Sequence, residues 1–210
     1  MEFVLRQLGI QLLRPFNYDS RLGPQYGFMI PYRAHNYCTH KGGLMDYTIG
    51  QTLVHPAHGA GKIIDVEKIK FDDRPQEYYV LRFAGKQLTV RVPLKRAKIV
   101  GLRVIMTKDK VKQVLSTLRE EPQPLPQDHK KRQKFLEELI YSGFPVKIAE
   151  AVRELTWRRR DKKHLGIEDQ RLLDHGRDLL IQEVGLAMDH AEMEAVQIID
   201  GALEEACQSV

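Results

Sequence analysis

Between residues 50 and 103 apolar and polar positions alternate in short runs, and turn residues interrupt them at close intervals. Period-two alternation places successive side chains on opposite faces of a strand. It predicts strands at 51–56, 62–71, 76–84, 87–92 and 99–102. Pro56 ends the first, because proline has no ladder donor. Ala57-His58-Gly59-Ala60-Gly61 reads as a tight turn. In the long second strand Ile64, Val66 and Lys68 are expected on one face, with Ile63, Asp65, Glu67 and Ile69 on the other. Asp72-Asp73-Arg74-Pro75 and Gly85-Lys86 are the next turns. In the fourth strand Leu88, Val90 and Val92 face the core, so Thr89 and Arg91 face outward. Short antiparallel strands joined this tightly predict a small barrel of SH3 or Tudor type.

Beyond residue 104 the period lengthens to that of helices. Thr107 can cap a helix whose apolar face is Val111, Val114, Leu115 and Leu118. Three prolines between 120 and 127 make a loop. A second helix is expected over 128–141, with Phe135, Leu136, Leu139 and Ile140 inward. A third opens at Pro145, which suits a first-turn position, and buries Ile148, Ala149, Val152, Leu155 and Thr156. Leu165-Gly166 stops it. A fourth spans 167–188 on Leu172, Leu173, Leu179, Leu180 and Val184, and a fifth carries Met193, Val196, Ile199, Ala202 and Leu203. The fold class is therefore α+β: a sheet domain over 45–104, then an all-helical bundle over 105–210.

Residues 1–44 show no sustained periodicity, and are expected to be a disordered extension or to precede the natural start. Met45 is the alternative start, since the sheet pattern begins directly after it.

The 210 residues, 42% hydrophobic and 29% charged, are enough for a core, and no apolar run reaches bilayer length. Cys38 and Cys207 lie far apart and fit no metal spacing, so a cytoplasmic compartment is expected. No nucleophile–base or carboxylate pair stands out, and the pattern points away from an enzyme and from any cofactor. Gly61-Lys62 fails as a phosphate loop, because Pro56 stands where its first glycine belongs and Ile63 where a hydroxyl is needed. His55 and His58 have no third ligand nearby and read as structural.

The net charge of +5 points to a polyanion, and its placement sharpens this. Arg158, Arg159, Lys162 and Lys163 close the third helix, where cations complement the helix dipole. Lys130, Lys131 and Arg132 open the second helix, where the same dipole disfavours them. Phosphate contact is one external reason for that placement. Meeting about four phosphates would give a log–log salt slope near −3.6. Trp157, the one tryptophan, is expected in the core.

Several segments together carry a resemblance. They are residues 50–59, Tyr78 to Leu81, Leu88-Thr89-Val90-Arg91-Val92-Pro93, Val100-Gly101-Leu102-Arg103, and the run from Lys147 to Leu155 leading to Trp157-Arg158-Arg159. From about Met45 onward the chain resembles the CarD/CdnL family of bacterial RNA polymerase-binding transcription regulators. Its sheet domain alone is also similar to the polymerase-interacting module of the transcription-repair coupling factor. The resemblance implies a Tudor-like domain that docks on the polymerase β subunit through Arg91, with Thr89 and Val90 beside it. A second basic contact of the family falls at about Ile69, where the flanking Lys68 and Lys70 would substitute. The resemblance also implies that the helical domain holds promoter DNA without reading sequence and stabilises the open complex. The family's wedging tryptophan falls at about Asp128 here. The expectation is therefore normal polymerase binding with weaker, or differently built, open-complex stabilisation. The alternative is a protein–protein adaptor that binds a partner through the barrel without touching DNA.

Overall fold

The structure is a computed structural model and describes residues 46–71, 74–83, 85 and 87–208. The expectations for residues 1–44, for Met45 as the start and for the turn at Asp72 and Asp73 lie outside these residues. Tyr47–Val210 forms one compact unit. Its strands are β1 (Thr52–His55), β2 (Gly59–Phe71), β3 (Arg74–Phe83), β4 (Leu88–Pro93) and β5 (Arg103–Val104). Five helices follow: α1 (Lys108–Arg119), α2 (His129–Ile140), α3 (Pro145–Lys162), α4 (Ile167–Met188) and α5 (Glu192–Gln208). The chain is thus α+β. No described helix is long and apolar enough to cross a membrane.

The five strands form one sheet in the order β4-β3-β2-β1-β5, and every pairing is antiparallel. The ladder is open: β4 and β5 are its edges and do not pair with each other, so the expected barrel closure is not present in it. The last strand lies at Arg103–Val104 and not at 99–102. A 3-10 turn at Leu94–Arg96 and the tight backbone after it occupy that stretch, leaving Ile99 82% exposed.

The second strand departs from simple alternation. Ile63 pairs with Leu81 and Asp65 with Val80, so Ile64 is a bulge. An extra residue in one strand shifts every later side chain to the other face. Ile63 therefore lies in the sheet core with Tyr79, Leu81, Phe83 and Val92, and Val66 packs against the same cluster. Asp65, Glu67 and Ile69 take the opposite face. The expected grouping of Ile63 with these three fails for that reason. Gly59 and Ala60 lie in β2, where a longer turn was expected.

A second hydrophobic cluster fills the helical part, with Val114, Leu118, Leu136, Ile140, Val152, Leu155, Leu172, Leu180 and Ile199 at its centre. Thr107 caps α1, its side chain accepting from the Lys110 N–H as expected. Pro145 stands in the first turn of α3. Phe135 and Met193, expected inward, are 41% and 70% exposed. Their neighbours Leu136 and Ala195 take the buried positions instead.

Polar contacts and a close approach at Gly59 join sheet to helices. The Arg103 guanidinium binds the Glu183 carboxylate through two nitrogens, one contact being 2.8 Å, and also donates to the Gly143 carbonyl. The Met106 N–H donates to Glu183 at 2.9 Å. At Gly59 φ is +81°, and an added Cβ would stand 2.4 Å from Gln182 Oε1. At Gly101 φ is +84°, and a Cβ would meet the Pro56 ring at 2.8 Å. Both positions favour glycine by conformation, and at Gly101 the rigid Pro56 ring also leaves no room for a Cβ.

Candidate interaction surfaces

On β4, Thr89 and Arg91 are exposed while Leu88, Val90 and Val92 turn to the sheet core. That matches the alternation read from the sequence. Val90 offers a partner little side chain, since it is partly buried. Because β4 is an edge strand, one side of its backbone has no neighbouring strand among the described residues. Such an edge can accept an added strand.

Arg91 has a partner that sequence reading missed. Its Nε donates to Glu67 Oε2 at 2.7 Å and its Nη2 to Oε1 at 3.2 Å. The hydrogen bond from Arg91, reinforced by its charge, holds the Glu67 carboxyl below the usual carboxylate range. The same bond raises Arg91. Signals for this pair lay in the residue types, but the bulge at Ile64 hid the geometry. Uniform alternation from Ile63 would have put Glu67 in the core.

Lys68 and Lys70 are exposed. Lys68 pairs with Glu77 and shares the pleat side of Val66, whereas Ile69 shares that of Glu67. The two lysines therefore fall on the opposite side of the pleat from Arg91. A flat surface running through Arg91 does not reach both. This sets them apart from Arg91, although both remain open to a partner.

In the helical part the structure brings one member of each cationic cluster, Arg132 and Arg158, to the Asp169 carboxylate. An open groove of about 440 Å³ is lined by the proline-containing loop 122–127 and by Arg132, Glu154, Trp157, Arg158, Asp161 and Lys162, so its charge is mixed. The loop is tied down: the Gln123 N–H donates to the Glu154 carboxylate at 2.9 Å. Glu154 is itself held by Arg153 at 2.7 Å. Trp157 is half-buried beside this loop, with the Arg160 guanidinium 5.3 Å from its ring centre. It is not among the core residues of the helical cluster, contrary to expectation.

The individual cations fare differently. Lys130, Lys131, Arg159, Lys162 and Lys163 are exposed. Arg132 is 5% exposed and pairs at 3.4 Å with Asp169, itself 2% exposed. Arg158 is half-buried and reaches the same carboxylate at 3.2 Å. Two guanidiniums sharing one buried carboxylate neutralise a charge that burial alone would make costly. Arg132 is thus an interior ion-pair residue, and its assignment to phosphate is corrected.

Asp128 also acquires a role. It is the N-cap of α2, its carboxylate accepting from the Lys131 N–H at 2.8 Å. An anion there offsets the lysines against the dipole. Its position in the chain carried that signal, because aspartate is among the preferred N-caps.

His55 and His58 stack at 4.6 Å, with Phe83 edge-on to both. Burial, then the neighbouring His58, pushes His55 down to about 4, so it is neutral at neutral pH. No three metal-binding side chains converge among the described residues.

Comparison with known proteins fits this two-part arrangement. Residues 47–106 match the CarD-like/TRCF RID domain, and residues 113–200 match the CarD C-terminal domain. The chain is also 30% identical over 140 residues to "Putative transcription factor YdeB" of Bacillus subtilis (strain 168). That alignment covers 66% of this chain and 90% of the relative. The chain, with a RID-type sheet followed by a CarD-type helical part, belongs to the CarD-like family of transcription regulators.

Proposed function

We propose that this protein is a cytoplasmic transcription regulator that docks on the β subunit of RNA polymerase. Its helical part then holds promoter DNA and stabilises the open complex, without reading base sequence. The observation that carries this reading is Arg91: outward, exposed, and on the edge strand of a RID-type sheet. In this reading residues 45–104 are a Tudor-like docking domain and residues 105–210 are the DNA-contacting domain. Thr89 and the β4 backbone flank Arg91 at the docking surface, and Val90 supports it from beneath. Lys68 and Lys70, on the other side of the pleat, are peripheral.

The DNA surface comprises Lys130, Lys131, Arg159, Lys162 and Lys163, with Arg158 at its margin. These side chains contact phosphates, which position a protein on DNA but carry no sequence information. The capping role of Asp128 supports weaker wedging than in relatives that carry tryptophan there. No cofactor enters the mechanism.

The DNA arm is tested with the double variant Lys130→Glu, Lys131→Glu. Both lysines are exposed in the first turn of α2, where acids are favourable to the dipole, so the fold should be unharmed. Loss of two phosphate contacts should make the log–log salt slope of promoter binding shallower by about 1.8. An unchanged slope would remove these lysines from the DNA surface. Absence of salt-dependent DNA binding in the unaltered chain would favour the adaptor reading.

A further inference from the structure

Arg91 presents five N–H donors, four of which form two forks. One fork, Nε with Nη2, is closed by Glu67 at 2.7 and 3.2 Å. The outer fork, Nη1 with the remaining Nη2 hydrogen, points away from that contact. Asp65 stands closer to Arg91 in register, directly across Val80. Its carboxylate, however, turns back to accept from the Val66 N–H at 2.7 Å. The longer Glu67 therefore reaches the guanidinium, and the bulge at Ile64 puts it on the correct face.

We infer that Glu67 is a positioning residue for docking: it clamps one edge of the Arg91 guanidinium and leaves the outer fork set for a partner carboxylate. A free arginine on an exposed strand samples many rotamers, and ordering it on binding costs free energy. A guanidinium already fixed in plane loses less, and a bidentate partner contact requires that plane. Glu67 remains ionised because the Arg91 hydrogen bond lowers it. The alternative is that Glu67 competes with the partner for Arg91. Competition predicts the opposite sign, since removing Glu67 would then tighten binding.

This inference rests on the polymerase-docking reading, and a double-mutant cycle separates the two. Binding of the full chain to purified RNA polymerase would be measured for the unaltered chain, Glu67→Gln, Arg91→Ala and the double variant. Glutamine keeps the side-chain length but loses the paired charge. Glu67→Gln should weaken binding about three- to tenfold, and should have no further effect once Arg91 is alanine. Tighter or unchanged binding of Glu67→Gln, beside a weakened Arg91→Ala, would overturn the positioning role. An equal effect in both backgrounds would also overturn it, because Glu67 would then act independently of Arg91. Unchanged binding of Arg91→Ala would overturn the docking reading itself.

Discussion

Arg91→Glu should abolish measurable docking on RNA polymerase, weakening it at least ~100-fold. Arginine is over-represented among residues that dominate interfaces, and reversing its charge adds repulsion to the lost contact. The substitution also sets a second carboxylate beside Glu67, so the docking face changes from a balanced pair to two negative charges. The fold should survive this, because the Arg91 side chain is 49% exposed and its pair contributes little to stability. Affinity measurement alongside a thermal melt checks both halves. Lost binding with an unchanged melting temperature places Arg91 on the docking surface. Retained binding with an intact fold moves the contact elsewhere on the sheet.

Arg103→Met should lower stability by about 3–5 kcal/mol, because it leaves the buried Glu183 carboxylate without its ion partner. The Glu183 side chain is 3% exposed and cannot recover water where it stands. For a chain of this size the melting temperature should fall by roughly 10 °C. The double variant Arg103→Met, Glu183→Leu should regain part of that loss, since an apolar pair removes the uncompensated charge. It still leaves the Met106 N–H short of an acceptor, so recovery should be incomplete. A single variant as stable as the parent would show that the contact between β5 and α4 is dispensable. A double variant less stable than the single one would contradict the buried-charge explanation.

The helices were largely legible in the sequence because their signals are local. Thr107 as a cap, Pro145 in a first turn and the Val152–Leu155 stripe each fall where propensity and period put them. Phe135 and Met193 were misplaced because an apolar residue beside a better-aligned one can be left outside. The sheet was legible in number of strands but not in facing. One bulged residue, Ile64, reversed the later half of β2, and a bulge has no period to detect. The outward Arg91 was readable by alternation within β4, where no bulge intervenes. Its partner Glu67 was not readable, being two strands away. Arg132 illustrates the same limit from the helical side. A basic run looks solvated until the tertiary fold brings Asp169 against one member of it. Lys130 and Lys131, one turn position away, stay exposed.

The central claim is that β4 meets the polymerase. Backbone hydrogen exchange of the full chain, with and without purified RNA polymerase, tests it without altering a residue. Docking through the edge strand should slow exchange at the amides of Leu88 to Val92, while α5, remote in sequence and without an assigned contact, should be unchanged. Binding that leaves exchange in β4 as it was would contradict the account.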